Sequence, residues 1–156
     1  MNVVFFGTPD FAMPVLDALI RNGYNVSHFQ KKYLKDEAVF EEFKSLKPDL
    51  CIVAAYGKIL PKRYLDVSKF GFLNIHPSLL PKYRGPSPIQ TAIINGDEET
   101  GVSIMVIDSE IDHGPILNSI KYQVLSSEYF TEIAKKLFEL GAKLLIEVLP
   151  KYINDT

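Results

Sequence analysis

The chain has 156 residues, with 17 lysines and arginines against 19 acidic residues, a net charge of −2 at pH 7 and a pI near 5.9. That length predicts one domain, 1–156, able to bury about 68–70% of the surface its unfolded form exposes, and its charge balance counts against a domain that holds RNA chiefly by neutralising phosphates. A single cysteine, Cys51, excludes an internal disulfide, no apolar run nears the ~18 residues of a membrane span, and Met1 leads into Val3 without a basic signal region, so a soluble cytoplasmic protein is expected.

Val3 to Phe6 is short, wholly apolar and stopped by Gly7, the pattern of a central parallel strand. Thr8 is placed to cap the next helix, with Pro9 at its first position and Asp10 in its first turn. Phe11, Val15, Ala18 and Leu19 then recur at helical spacing until Asn22-Gly23. Asn25 to Gln30 predicts a second strand. Asp36 is placed to cap a helix carrying Val39, Phe40, Phe43 and Leu46 on one face, ended by Lys47-Pro48. Leu50 to Ala55 is another buried strand, with Cys51 an inert core thiol. A short helix follows from Pro61 through Leu65, and Gly71 to Ile75 forms the next strand.

A helix is predicted from about Pro88 to Asn95, then a strand from Val102 to Ile107 and a partner strand from Ile116 to Val124, with Ile111 to Pro115 in the loop between them. The last helix begins near Ser127-Glu128 and presents Phe130, Ile133, Leu137, Leu140, Leu144 and Val148 as a stripe for core packing. No internal repeat or linker interrupts the chain. The fold class is therefore α/β, a Rossmann-like open, mainly parallel sheet with helices on both faces and a late antiparallel edge pair.

Asn74 and His76 close the apolar run from Phe72, and two residues apart on a strand they project to one side. With Asp112 they offer an amide, an imidazole and a carboxylate, a set able to move an acyl group onto an amine without a metal. Histidine can take and give a proton near neutrality, and an amide can stabilise a developing oxyanion. The alternative is structural, with Asn74 in a turn and His76 satisfied by a backbone group. The pair precedes a Pro-rich loop at the carboxyl end of a strand, where open α/β sheets place ligands. His113 also neighbours Asp112 and is the weaker candidate, while His28 lies in a strand and reads as structural. The three histidines show no H-x-x-x-H spacing, so no metal is expected. Neither a G-x-S-x-G turn nor a G-x-G-x-x-G loop is present. Lys31, Lys32 and Lys35, and likewise Lys58, Lys62 and Arg63, read as solvated surface. Lys82 and Arg84, which follow the Pro-rich loop directly, are better placed to meet nucleic acid.

Asn74-Ile75-His76-Pro77-Ser78-Leu79-Leu80-Pro81-Lys82-Tyr83-Arg84-Gly85, then Ile94 to Ile104 and Asp112-His113-Gly114-Pro115, resemble the signature of the folate-dependent formyltransferases. Phe6-Gly7-Thr8-Pro9-Asp10-Phe11-Ala12 and Gly85-Pro86-Ser87-Pro88-Ile89-Gln90 are most similar to the methionyl-tRNA formyltransferase branch of that group. The glycinamide ribonucleotide enzymes share the central run but open on a Gly-rich loop, and the amino-sugar N-formyltransferases share the central block. The resemblance implies 10-formyltetrahydrofolate as formyl donor and initiator methionyl-tRNA as acceptor; a monomer with no membrane partner is expected beside it. It implies catalytic roles for Asn74, His76 and Asp112. It also implies a pterin site between Tyr56, Gly57, Lys58, Ile59 and Leu60 on one side and Ile107 and Asp108 on the other, lined by Ser78, Leu79, Leu80 and Pro81.

Two departures from that branch bear on tRNA. Asn25-Val26-Ser27 runs almost at once into Phe29 to Asp36, where the branch carries a few dozen more residues, including a basic loop set against the acceptor stem. The small C-terminal β-barrel that helps to bind tRNA is also missing from the residues at hand. Weakened tRNA recognition is expected in this form. An amino-sugar N-formyltransferase and an inactive folate-binding module are the alternative readings.

Overall fold

The computed structural model describes residues 1–155. Six strands form one sheet in the order β2-β1-β3-β4-β5-β6, comprising β1 (Asn2–Gly7), β2 (Asn25–His28), β3 (Leu50–Ala54), β4 (Phe72–His76), β5 (Glu99–Val106) and β6 (Ile116–Gln123). The first four run parallel, whereas β5 pairs antiparallel with both β4 and β6. β1, β3 and β4 are central, and their apolar residues are buried on both faces. The outer strands β2 and β6 carry half-buried and exposed residues.

Side-chain alternation divides the core into two layers. Val3, Phe5, Leu50, Ile52, Leu73 and Ile75 pack beneath α1 (Met13–Arg21) and the long α5 (Phe130–Asp155). Val4, Phe6, Cys51, Val53 and Phe72 face the opposite way, toward Phe43 of α2 (Glu37–Ser45) and Tyr64 of α3 (Lys62–Leu65). Four rings gather around Phe6, with Phe29, Phe43, Tyr56 and Phe72 each 5.3–5.8 Å from it. The helix α5 lies directly on β4 because Gly141 has no Cβ, which would otherwise sit 2.6 Å from Ile75 Cγ2. Burial pushes the Cys51 thiol well above its usual range, as suits an inert core residue.

The expected fold class and element order are observed, with several boundaries moved. Thr8 does not cap the first helix. A 3₁₀ turn, Asp10–Ala12, intervenes, so α1 starts at Met13 with Pro14 in its first turn. Asp36 caps α2 as expected, accepting from the amides of Ala38 and Val39. β5 begins three residues earlier than expected, at Glu99, and α5 later, at Phe130. Glu128 is held before α5, where its carboxylate accepts from Leu125 N and Tyr122 Oη and pairs with Lys136. Among the described residues, no helix is long and apolar enough to cross a membrane.

Candidate active site

β4 positions two polar side chains through its two-residue period. Leu73 and Ile75 enter the layer beneath α5, which turns Asn74 and His76 to the other side. Both strand neighbours hold β4 in register, with Asn74 opposite Val53 of β3 and Met105 of β5. After β5 the chain folds back over the sheet through residues 107–115 and brings Asp112 to this pair. Asp112 occupies the left-handed region at φ 48°, a conformation that aspartate tolerates better than most residues.

Asp112 joins three segments. Its Oδ1 accepts from Asn74 Nδ2 at 3.3 Å, its Oδ2 accepts from the Gly85 amide at 2.8 Å, and the same Oδ2 lies 3.6 Å from His76 Nδ1. The other imidazole nitrogen, Nε2, is 2.9 Å from the carbonyl oxygen of Tyr83. His76 is nearly inaccessible and Asp112 is 15% exposed, so their interaction is poorly screened by water. The Asn74 amide keeps a second N–H for a group entering the site. Ala55, Tyr83 and Asp112 are three of the four non-glycine residues with positive φ among the described residues, so backbone strain is concentrated around this cluster.

The three side chains line a cavity of about 580 Å³, large enough for a heterocyclic ligand. Tyr56, Gly57, Lys58, Ile59 and Leu60 form one wall, and Ile107 and Asp108 belong to the wall that carries Asp112. Tyr56 is fixed by donating to Lys31 O at 2.6 Å, and burial pushes its phenol up to about 12. Ile59 is 80% exposed at the rim and is therefore not a core residue.

Ser78, Leu79, Leu80 and Pro81 depart from expectation, since they form a turn behind the cavity and do not line it. Buried Ser103 Oγ donates to Ser78 O and accepts from Leu80 N, while Ser78 Oγ donates to Lys82 O. Leu79 fills the space left by the missing side chain of Gly101. These contacts bury Ser78 and Leu80 while Pro81 stays exposed, and the adjacent Pro77 lines the cavity.

Sequence reasoning missed a second lobe of the cavity, formed by Pro9, Phe11, Pro86, Ile89, Phe130 and Phe138. In the sequence Phe11 and Phe130 belong to helical stripes and read as core, and Phe138 is not singled out. Phe11 packs against both of the others, its ring centroid 6.0 Å from Phe130 and 5.3 Å from Phe138, and all three also line the cavity. His113 stands away from the cluster, half exposed, with Nδ1 2.9 Å from Asp108 Oδ2. This pairing raises the His113 pKa and lowers that of Asp108. His28 is structural, its Nε2 lying 2.7 Å from Gly7 O. The Lys82 ammonium is engaged by Asp97 at 2.8 Å. Among the described residues, no cluster of three histidine, cysteine or acidic side chains could hold a metal ion.

Residues 8–149 match the family model described as formyl transferase. The chain belongs to the formyl transferase family. A curated methionyl-tRNA formyltransferase from Thermodesulfovibrio yellowstonii is 38% identical over 181 residues, which cover 96% of this chain and 59% of that relative. The formyl transferase chain thus spans well under two thirds of the length of the curated relatives it matches. Two solved structures share the fold. HypX from Aquifex aeolicus superposes with a TM-score of 0.86 at 21% identity, over 99% of this chain and 28% of that one. The formyltransferase PseJ from Anoxybacillus kamchatkensis, solved with a UDP-linked formamido sugar and tetrahydrofolate, gives 0.76 at 22% identity, over 97% and 76%.

Proposed function

We propose that this formyl transferase moves a formyl group from 10-formyltetrahydrofolate to the amino group of initiator methionyl-tRNA. The observation that carries the reading is the convergence of Asn74, His76 and Asp112 on the floor of a cavity whose walls are mostly apolar. The acceptor amine attacks the formyl carbon, and the free N–H of Asn74 donates to the oxygen that becomes negative. His76 takes the proton from the attacking nitrogen. The bond from carbon to the folate N10 then breaks, and the proton passes to that nitrogen, directly or through a water. Asp112 keeps the amide and imidazole aimed at the same point and stabilises the imidazolium while it exists. The folate ring system fits the wall from Tyr56 to Leu60, where apolar surface adjoins backbone groups of the 107–112 loop.

Similarity to the curated methionyl-tRNA enzymes supports the tRNA acceptor. The alignment spans 181 positions while covering 96% of a chain of 156 residues, so the relative carries residues within the matched region that this chain lacks, which supports the reading of a shortened stretch. A nucleotide-linked amino sugar is the second acceptor to test, because a protein of this fold was solved with a UDP-linked formamido sugar, the formylated form of such an amine. The test is formyl transfer from 10-formyltetrahydrofolate to methionyl-tRNA and, separately, to amino sugars. His76→Ala is expected to lower kcat about 10²–10⁴-fold and Asn74→Ala about 10²–10³-fold, with the fold retained. Near wild-type turnover in either variant removes that residue from the mechanism. Transfer to the sugar alone replaces the acceptor, and folate binding without transfer to either marks an inactive module.

A further inference from the structure

The turn that follows the Pro-rich loop holds the catalytic pair from behind, and its own support lies well outside the cavity. The Tyr83 carbonyl meets His76 Nε2, and two residues later the Gly85 amide donates to Asp112. One short turn therefore contacts both His76 and Asp112. Tyr83 itself adopts φ 58°, which a bulky residue keeps only where its surroundings impose it. Its side chain shows what imposes it. Tyr83 Oη donates to Asp97 Oδ2 at 2.7 Å and accepts from Asn95 Nδ2 at 2.8 Å, and Lys82 Nζ bridges to the same Asp97 oxygen while lying 4.7 Å from the tyrosine ring centre. Asn95 and Asp97 immediately follow α4 (Pro88–Ile94), and the Asp97 amide is bonded back to Ala92 O at 3.0 Å.

A carbonyl oxygen only accepts, so the proton in the contact between His76 and Tyr83 resides on Nε2. The neutral imidazole then has its lone pair on Nδ1, the nitrogen directed at Asp112. We infer that Tyr83, anchored by Asp97 and Asn95, is a positioning residue that fixes His76 as the Nε2–H tautomer, so that Nδ1 is the nitrogen that takes the proton in catalysis. The catalytic half of this inference rests on the function proposed above. The tautomer does not.

The experiment records long-range ¹H–¹⁵N correlations of the imidazoles at about pH 8.5, where an ordinary histidine of pKa near 6.5 is neutral. Three histidines make the spectrum tractable. His28, bonded through Nε2 to Gly7 O, provides an Nε2–H reference and a check that the sheet is intact. His113, whose Nδ1 faces Asp108, provides the opposite pattern. Wild-type His76 is expected to show the Nε2–H form. Tyr83→Phe and Asp97→Asn are each expected to introduce a population protonated on Nδ1 and to lower kcat about 10-fold, with KM for the folate within about twofold, as loss of general-base alignment and not of binding predicts. Wild-type His76 protonated on Nδ1 would overturn the inference. So would unchanged His76 signals and kcat in both variants. A tautomer shift in a protein that transfers formyl to no amine would support the anchor and overturn the catalytic reading on which Nδ1 depends.

Discussion

Gly114→Ala tests whether the position of Asp112 controls turnover. Gly114 is buried where the 107–115 loop rejoins the sheet, and a Cβ there would lie 1.9 Å from the Val106 carbonyl oxygen, against about 3.4 Å for ordinary contact. Its φ is not in the left-handed region, so the clash is the whole objection to alanine. Relief requires the loop to retreat by roughly 1.5 Å, and Asp112 lies two residues upstream. The contacts at stake are the 3.3 Å bond from Asn74 and the 2.8 Å bond from Gly85. A retreat of that size breaks both. Misplacement of a catalytic group by about 1 Å can cost 10²-fold, and Gly114→Ala is expected to lower kcat by about that factor. Overpacking should reduce unfolding free energy by about 1–3 kcal/mol. The assay is steady-state formyl transfer with stability measured in parallel by urea, and Asp112→Ala as the reference for complete loss. A variant that unfolds like wild type and keeps kcat within about twofold would refute the reasoning.

Ser103→Ala should cost about 1–3 kcal/mol in urea unfolding, because it leaves the Leu80 amide and the Ser78 carbonyl without their buried partner; no loss would mean that the turn is held by other contacts. Tyr64→Phe should raise stability by up to about 1 kcal/mol, since the phenol oxygen is buried with no hydrogen-bond partner among the described residues, and a lower Tm would contradict this. Lys136 and Tyr122 lower the pKa of Glu128 from 4.5 to about 2. A lowered folded pKa stabilises above the unfolded value, so the Glu128 contribution is complete above pH 4.5 and disappears as pH falls to about 2. Glu128→Gln should flatten the pH dependence of stability across that window, and an unchanged profile would show that the pair is broken in solution.

The parts of this molecule governed by short-range periodicity were legible in the sequence. Asn74 and His76 could be paired because a strand repeats every two residues, and Asp36 was recognisable as a cap because its side chain reaches amides only two and three residues ahead. Asp112 entered the site through motif resemblance, and what brings it there is the fold-back of a loop across 38 positions of sequence. The inward turn of Ser78 and Leu80 was not legible, since it is set by Ser103 and Gly101, some 20 residues away on β5. Thr8 failed as a cap because the chain first winds a 3₁₀ turn. The lobe around Phe11 and Phe130 was hidden because an aromatic side chain on a helical stripe reads the same whether its far edge meets protein or a cavity.

The antiparallel arm β5–β6 ties the assembly of the site to the edge of the sheet. Asn74 and His76 lie on a strand held by hydrogen bonds on both sides, whereas Asp112 rides on the loop of an arm whose outer strand has no further neighbour. The three side chains do not form a cluster until that arm is docked on β4. Local opening at this edge therefore disassembles the chemistry while most of the sheet stays intact. In hydrogen exchange, amides of β6 should open at lower free energy than those of β3, and loss of activity on mild denaturation should follow the first set and precede the second.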